Sequence, residues 1–240
     1  ALLFVGIDDY VCLDNAIGTC LGGDSNPTFD DPHTQRSVAL WFKAGNITNT
    51  QILFEEGGIN DGLNIYITNN NLYVGAWSSN GWPSGTYHSY PIHNGTFRVK
   101  QDAWHHVVLA YDGNNNFAMY LNGLLVNSTP SGALDIGFNT GDDALAGRRE
   151  STQLHTGDLV GAGSYFNGTI DDFRVYDRAL TAQEVTTLYQ QGLGLLVHWE
   201  LDEGSGTIAF DSSNQKWNGN LSNSEPTDWV TVALLFKIIQ

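Results

Sequence analysis

Apolar and polar residues alternate in short runs along the chain, and turn-forming residues separate one run from the next. The runs are rich in β-branched and aromatic side chains, which fit a pleated sheet with a buried face. They predict strands over Ser37–Lys43, Gln51–Phe54, Leu63–Thr68, Leu72–Ala76, His105–Tyr111 and Phe117–Leu121. The Asn69-Asn70-Asn71 sequence predicts a hairpin tip, because asparagine tolerates the backbone conformations of tight turns. The 240 residues therefore predict one large all-β domain.

One segment carries helical signals instead. Thr181 followed by Glu184 is a capping box, which predicts a short helix over about 181–190 that buries Val185 and Leu188. The segment that contains it, Ser164–Tyr189, reads SYFNGTIDDFRVYDRALTAQEVTTLY. It predicts a strand, an acidic turn, a second strand and then the helix.

Two further blocks have a recognisable pattern. Trp104–Gly123, WHHVVLAYDGNNNFAMYLNG, predicts a central hairpin, and Phe4–Val11, FVGIDDYV, predicts an early strand. With the Ser164–Tyr189 block, these strings resemble the laminin-G-like jelly rolls of the concanavalin A-like lectin/glucanase group. That family writes its closing segment as F-x-G-x-I-D-D-x-R-I-Y-x-R-A-L-S-x-x-E-I. The resemblance implies a two-sheet antiparallel jelly-roll sandwich with one short helix.

The order of the blocks differs from the family's order. The family's first strand, W-x-F-D-E-G-S-G, precedes all the others, but its counterpart here is His198–Asn214 near the C-terminus. The string ALLF also occurs twice, at 1–4 and 233–236. Two interpretations stay open: a single permuted domain over 1–240 in which 195–240 supply the first strand, or a window from a tandem array that completes a neighbour by strand exchange. The first predicts that His198–Leu201 pairs with Phe173–Tyr176.

The charge balance limits the partners. The chain has 10 basic and 26 acidic residues, a net charge of -16. Such a surface repels nucleic acid and anionic membranes, whose binding needs clusters of lysine and arginine. No apolar run reaches the length of a membrane span, so we predict no membrane insertion. The acidity fits either solubility or carboxylates that hold calcium.

Two features favour an extracellular, secreted location. Cys12 and Cys20 are predicted to form a disulfide across a short loop, the alternative being two buried free thiols. Five N-x-S/T sequons predict possible glycosylation sites. They lie at Asn46, Asn94, Asn127, Asn167 and Asn220.

The sequence predicts no enzyme. Glycoside hydrolases on this fold need two carboxylates that face one cleft, and the E-x-D-x-x-E pattern of the laminarinase-type relatives is absent. Glu55-Glu56 and Asp171-Asp172 are consecutive pairs, so in a strand their side chains face opposite sides. His105-His106 could suggest general base chemistry, but the resemblance assigns them to a sheet.

The resemblance also implies a structural calcium ion that ties the last strand to the first. It maps the closing-strand ligand onto Asp171, with Asp202, Glu203 and Asp211 as the available oxygens of the first strand. The alternative is that Asp171 only caps a turn. A second, ligand-linked calcium site is expected near Asn139, Asp142 and Asp143.

The segment Ala76–His93, AWSSNGWPSGTYHSYPIH, concentrates aromatic residues among glycine, proline and serine. This composition predicts an exposed loop whose rings stack on a ligand. Trp82 is the first candidate ligand contact, followed by Tyr87 and His88. Trp77 and Tyr90 are candidates too, with the alternative that both fill the core.

We therefore expect a secreted, calcium-stabilised, non-catalytic carbohydrate-binding module. The first alternative is an extracellular adhesive module that acts through protein contacts, for which the repeated ALLF is an argument. The second is a carrier of an apolar small molecule or pigment. A glycan array and an absorbance spectrum separate the three.

Overall fold

A computed structural model describes residues 1–13, 33–57, 60–78, 82–91, 100–112, 116–130, 143–147, 152–160, 163–193, 208–209 and 219–220. The chain divides into two compact units, Ala1–Thr187 and Leu188–Gln240. Most of the described secondary structure belongs to the first unit.

Sixteen strands and one helix form within the described residues. The strands are β1 (Leu2–Val5), β2 (Val11–Cys12), β3 (Arg36–Ala44), β4 (Gln51–Gly57), β5 (Asp61–Thr68), β6 (Asn71–Ser78), β7 (Trp82–Pro91), β8 (His105–Tyr111), β9 (Asn116–Leu121), β10 (Leu124–Pro130), β11 (Ala144–Leu145), β12 (Thr152–Gln153), β13 (Leu159–Val160), β14 (Asn167–Tyr176), β15 (Ile208–Ala209) and β16 (Gly219–Asn220). The helix α1 spans Ala182–Gly192.

Twelve of these strands form two six-stranded sheets. Sheet 1 has the order β1-β14-β3-β8-β9-β10, and sheet 2 has the order β2-β11-β4-β5-β6-β7. The strand pairs in both sheets are antiparallel. The predicted two-sheet antiparallel jelly roll is therefore confirmed. All six predicted strands are present: His105–Tyr111 has the predicted bounds, and the other five extend beyond theirs.

The core lies between the facing sides of the two sheets. In β3, Val38, Leu40 and Phe42 enter it, and in β5, Ile65 and Ile67 do so from the other sheet. These residues alternate with residues of the outer faces, because successive side chains of a strand point to opposite sides. The alternation in the sequence thus reports which side of each strand is buried.

Tight turns join neighbouring strands at asparagine residues. Asn69 and Asn70 have φ angles of 49° and 63° at the β5–β6 hairpin, which confirms the predicted tip. The β9–β10 hairpin turns at Asn122 and Gly123, with φ angles of 51° and 78°. Two consecutive positive φ angles are the signature of the type I′ turn, whose twist matches that of the flanking strands.

The capping box at the start of α1 forms as predicted. The Thr181 backbone N–H donates to Glu184 Oε2 over 2.8 Å, and the Glu184 N–H donates back to Thr181 Oγ1 over 3.3 Å. Glu184 also accepts two hydrogen bonds from the Arg178 guanidinium, at 2.7 and 2.9 Å. The Arg178 guanidinium and the Thr181 backbone lower the pKa of Glu184 to about 2. Val185 is fully buried, whereas Leu188 is only partly so.

Two expectations about strand continuity are wrong. Phe4–Val11 is not one strand: β1 and β2 belong to different sheets, and the chain bends at Gly6, whose φ is 76°. The acidic pair Asp171-Asp172 is not a turn between two strands, since β14 runs through it with an irregular register against β3 between Asp171 and Arg174. Asp172 takes a φ of 47° there, as expected for a bulge that bends a strand without ending it.

The predicted pairing of His198–Leu201 with Phe173–Tyr176 involves residues outside the described ranges. Within 195–240, the structure describes only β15 and β16, which pair antiparallel with Ile208 opposite Asn220. The permuted domain and the strand-exchanged array therefore both stay predictions.

A buried ion pair links the two sheets. Arg36 begins β3 in sheet 1, and its guanidinium contacts the carboxylate of Glu56 in β4 of sheet 2. His33 Nε2 lies 3.1 Å from the same Glu56 oxygen. The Glu56 side chain is 0% exposed, so this carboxylate depends on its neighbours rather than on water for stabilisation.

Candidate functional site

The segment expected to be a ligand-binding loop is mostly a strand. Within Ala76–His93, β6 continues to Ser78, and Trp82–Pro91 forms β7, the edge strand of sheet 2. Pro83 and Pro91 suggested a loop, since proline cannot donate to a sheet, but an edge strand needs only one of its two sides paired. The prediction of a loop is therefore wrong.

The register of β6 and β7 sorts the predicted ligand residues between the two faces. Positions 88 and 90 of β7 pair with Val74 and Leu72, whose side chains enter the core. Position 87 pairs with Gly75, and position 89 pairs with Tyr73. Because cross-strand partners share a face of the sheet, position 87 is an outer-face position of sheet 2, whereas positions 88 and 90 are core-face positions.

Trp82 lies opposite Ser78, just beyond a register shift between Ala76 and Ser78. Trp77, in contrast, is buried, with 2% of its surface exposed. It is therefore not an exposed ligand contact, which agrees with the alternative that it fills the interior.

A cluster of rings covers part of the outer face of sheet 2. Tyr66 and Tyr73 stack with ring centres 4.9 Å apart, and His155 stacks on Tyr73 at 4.2 Å. The Tyr66 hydroxyl accepts a hydrogen bond from the His155 backbone N–H and lies 2.9 Å from His155 Nδ1. Burial raises the pKa of Tyr73, whose ring is only partly covered. Tyr73 and His155 thus carry aromatic surface to the solvent next to β7.

The hairpin β12–β13 supplies His155 to this cluster. It is held to the sheet by Asn64 of β5, whose Nδ2 donates to Thr152 Oγ1 at 3.0 Å and to the Gln153 carbonyl at 2.8 Å. His155 is not among the residues that the sequence predicts for a site. The two-residue strands of the hairpin leave almost no periodic signal that could have indicated it.

Of the predicted calcium ligands, the structure describes Asp171 alone; Asp202, Glu203 and Asp211 lie outside the described ranges. The Asp171 side chain is 52% exposed, and its Oδ1 accepts a hydrogen bond from the Asp172 N–H at 2.9 Å. The described residues contain no group of three or more metal-ligating side chains. In the region of the second expected calcium site, Asp143 is fully buried and its Oδ1 accepts from the Gly57 N–H at 2.7 Å, while Asn139 and Asp142 are not described.

The predicted covalent sites have different surroundings. Cys12 ends β2, and the described residues include no free cysteine; Cys20 is not described, so the Cys12–Cys20 disulfide stays a prediction. Asn127 is exposed in β10, and Asn220 lies in β16. The Asn167 Nδ2 donates to the Val5 carbonyl at 3.1 Å, and Asn46 Oδ1 accepts from the Thr48 N–H at 2.9 Å. Asn94 is not described.

The two histidines considered as general bases lie in a strand of sheet 1. His105 and His106 occupy consecutive positions of β8 and are both buried. His105 Nε2 lies within hydrogen-bonding distance of the Lys100 backbone, and burial lowers the pKa of His105. The His106 ring packs against Trp41 with ring centres 5.3 Å apart. This placement fits the structural role that the resemblance implied.

We expect His106 to make stability pH-dependent. Burial lowers the pKa of His106 to about 4; the Asp172 carboxylate opposes this effect, and the Arg174 guanidinium adds to it. Between that value and the unfolded pKa of about 6.5, the unfolded chain binds more protons, so stability is lost as the pH falls. Urea unfolding from pH 6.5 to 4.5 should show about 2–3 kcal/mol more loss for the native chain than for His106→Gln. Equal slopes for the two proteins would contradict this.

A search of sequence families matches residues 6–186 to a laminin G model described as the concanavalin A-like lectin/glucanases superfamily. Among curated proteins, the adhesion G-protein coupled receptor D1 of Homo sapiens is 29% identical over 91 residues, which are 38% of this chain. The match spans 10% of that receptor. Within the described part of this chain, no helix has both the length and the apolar character needed to cross a bilayer.

Solved structures share the fold at low sequence identity. The leech intramolecular trans-sialidase, solved with 2,7-anhydro-Neu5Ac, aligns with a TM-score of 0.57 and 20% identity over 82% of this chain and 28% of its own. The Ruminococcus gnavus sialidase module CBM40, bound to α2,3-sialyllactose, aligns with a TM-score of 0.53 and 16% identity over 76% of this chain and 97% of its own. The binding domain of botulinum neurotoxin serotype G aligns with a TM-score of 0.56 and 16% identity over 81% of this chain and 47% of its own.

Proposed function

Because this chain belongs to the concanavalin A-like lectin/glucanases superfamily, we propose that it is a non-catalytic, extracellular carbohydrate-binding module. The observation that carries the proposal is the register of β6 and β7. In that register position 87, a tyrosine in the sequence, pairs with Gly75, and Tyr73 lies two residues before Gly75 on the same face of β6. The CBM40 structure, whose fold this chain shares, holds a sialylated sugar, which supports the class of ligand but not its identity.

The outer face of β6 and β7 has the chemistry that sugars require. The C–H faces of a sugar ring are apolar and stack on aromatic rings, while its hydroxyls need polar partners. Tyr73 is only partly covered, and its neighbour across the strands is Ser89. Gly75 has no side chain to fill the space opposite Tyr87. An aromatic surface with a polar neighbour is therefore the feature that we assign to ligand binding.

A glycan array with the intact chain is expected to identify sugars that bind. For the best of them, Tyr87→Ala should weaken binding by roughly 1–3 kcal/mol, by analogy with bases that stack on aromatic side chains. Asn127→Ala is the control, because Asn127 is an exposed residue of β10 in the other sheet. Trp82→Ala tests the other end of β7 in the same titration.

Three outcomes of that titration would contradict the proposal. An array without hits would favour the adhesive module. A visible absorbance band in native material would favour the carrier of an apolar ligand. Hits that Tyr87→Ala leaves unchanged would place the sugar elsewhere on the fold.

Calcium stabilisation is the second part of the proposal, and Asp171 is its proposed ligand. The exposed carboxylate has an oxygen besides the one that accepts from Asp172, and calcium prefers oxygen ligands. An ion bound only by the folded chain raises the melting temperature. We expect EDTA to lower the melting temperature of the native protein, and Asp171→Asn to melt at that lower temperature with no response to EDTA. An EDTA-insensitive native protein would exclude a stabilising ion.

The adhesive module is the second candidate, and one observation favours it. Leu2, Leu3 and Val5 of β1, the outermost described strand of sheet 1, and Ile7 just after it expose 50–74% of their surfaces. Exposed apolar patches often mark protein contacts, and the human relative is a receptor with adhesion in its name. If a Leu3→Lys variant pulled down the same proteins as the native chain, this apolar surface would not be the protein contact.

A further inference from the structure

A cavity lies away from β7, where the β3–β4 connection meets the residues that lead into β14. It has a volume of about 250 Å³, and its lining includes Asn46, Asn49, Gln51, Ser164, Tyr165 and Asn167. Pockets that enclose drug-sized ligands measure about 300–1,000 Å³. A cavity just below that range suits a ligand of one ring.

Gln51 holds the walls of this cavity together. Its side chain is buried at the start of β4, where Oε1 accepts from the Asn167 N–H at 2.8 Å and Nε2 donates to the Asn46 carbonyl at 2.9 Å. Asn46 Oδ1 in turn accepts from the backbone N–H groups of Thr48 and Asn49, which fixes the connection as a turn. One amide therefore bonds both walls, so the cavity is a built feature of the fold.

The third wall is a strained segment. Ser164 has a φ of 53°, and its carbonyl accepts from the Ile52 N–H at 2.9 Å. A positive φ is costly for a residue with a side chain, and such residues cluster at functional sites. The Tyr165 ring stacks on Tyr10, with centres 6.2 Å apart, and it lies where a Cβ on Gly147 would come within 2.8 Å of its Cδ1.

The lining is polar but carries no charge. Several of its groups form no hydrogen bond with the described residues and have donor or acceptor capacity left. They are the Nδ2 atoms of Asn46 and Asn49, Asn167 Oδ1, Ser164 Oγ and the Tyr165 hydroxyl. Donors and acceptors around one small cavity match the hydroxyls of a sugar, each of which donates and accepts.

We propose that this cavity binds one neutral sugar residue, as a second site with residues separate from the outer face of β6 and β7. Neutral ligands are favoured because the described residues of the lining include no lysine, arginine or histidine to pair with a carboxylate. The net charge of -16 adds long-range repulsion of anions. The site therefore rejects sialic acid, the sugar of the leech and Ruminococcus gnavus structures.

The test uses the intact chain and methyl glycosides of glucose, galactose, mannose and N-acetylglucosamine, with the methyl glycoside of sialic acid as the anionic probe. Binding is followed by saturation-transfer NMR and titration. Asn49→Ala and Tyr165→Phe should each weaken a neutral glycoside by about three- to tenfold, the effect of one hydrogen bond. Tyr165→Phe keeps the ring on Tyr10, so the wall stays in place. Asn127→Ala, an exposed asparagine of β10, is the matched control and should change nothing.

Four results would overturn the proposal: no neutral glycoside binds, the pocket variants leave binding unchanged, sialic acid binds as well as the neutral probes and responds to the same variants, or Tyr87→Ala alone abolishes the signal. The last result would assign the sugar to β7 and leave the proposed function standing. Conversely, pocket binding that survives Tyr87→Ala would stand even if the outer face of β7 bound no glycan. Melting curves of each variant exclude unfolding as the cause.

Discussion

Replacing Trp77 with alanine is expected to lower the free energy of unfolding by about 3–5 kcal/mol, as for other large aromatic residues removed from a packed interior. The ring is 2% exposed. Its edge lies over Gly62, where an added Cβ would come within 2.4 Å of Cζ2. Such close packing leaves a large cavity when the ring is deleted. Urea unfolding followed by far-UV circular dichroism measures the loss.

Gly62→Ala gives an independent check of the same contact. The new methyl group would meet both the Trp77 ring and the Glu56 carbonyl, at 2.4 and 2.5 Å. Overpacking of this kind costs typically about 1–3 kcal/mol. If Trp77→Ala instead left stability unchanged and abolished glycan binding, Trp77 would be a ligand contact and our placement of it would be wrong.

Replacing Arg36 with methionine is expected to destabilise the chain by about 3–5 kcal/mol. The Glu56 carboxylate would remain fully buried between the sheets. It would lose the Arg36 guanidinium and keep His33 beside it. Leaving one charge of a buried pair behind costs that much, because the desolvated charge is no longer compensated. Equilibrium unfolding in urea gives the value.

The matched control removes both charges. Arg36→Met combined with Glu56→Gln should recover much of the loss, since replacement of a whole buried pair by neutral side chains is often close to neutral in stability. The double-mutant cycle then isolates the coupling between the two residues. A double variant as unstable as the sum of the single ones would show that the pair is not coupled.

Much of the fold could be predicted because its signals are local. The recurrence of Val38, Leu40 and Phe42 at every second position follows from the geometry of one strand. The capping box of Thr181 and Glu184 and the turn at Asn69 involve neighbours within three residues. None of these requires knowledge of what lies across the sandwich.

The errors concern where strands begin and end. The composition of Trp82–Pro91 suggested a loop, and only its position at the edge of sheet 2 makes its prolines compatible with a strand. The acidic pair in β14 suggested a turn because a bulge and a turn use the same backbone conformations. Whether such a segment ends a strand depends on the neighbouring β3, which its own sequence does not specify.

The candidate site could be predicted only in part for the same reason. The sequence identified Tyr87, but the face it occupies depends on the register with β6, where a shift of one residue would exchange it with His88. His155 and the neutral cavity depend on contacts across about 90 to 120 residues, such as Tyr66 with His155 and Gln51 with Asn167. Side chains this far apart leave no pattern in a single sequence.

Two of the sequon asparagines, Asn46 and Asn167, line the neutral cavity. An N-linked glycan begins at Nδ2, the atom with which Asn167 bonds Val5, whereas Asn46 Nδ2 forms no hydrogen bond with the described residues. A glycan on Asn46 would therefore place a covalent sugar at the mouth of the cavity and compete with any free one. Material from a bacterial host and material from a secretory pathway would then differ in ligand binding although their sequences are identical. If Asn46 is glycosylated, maturation in the host cell would thus determine whether the cavity is open to a free sugar.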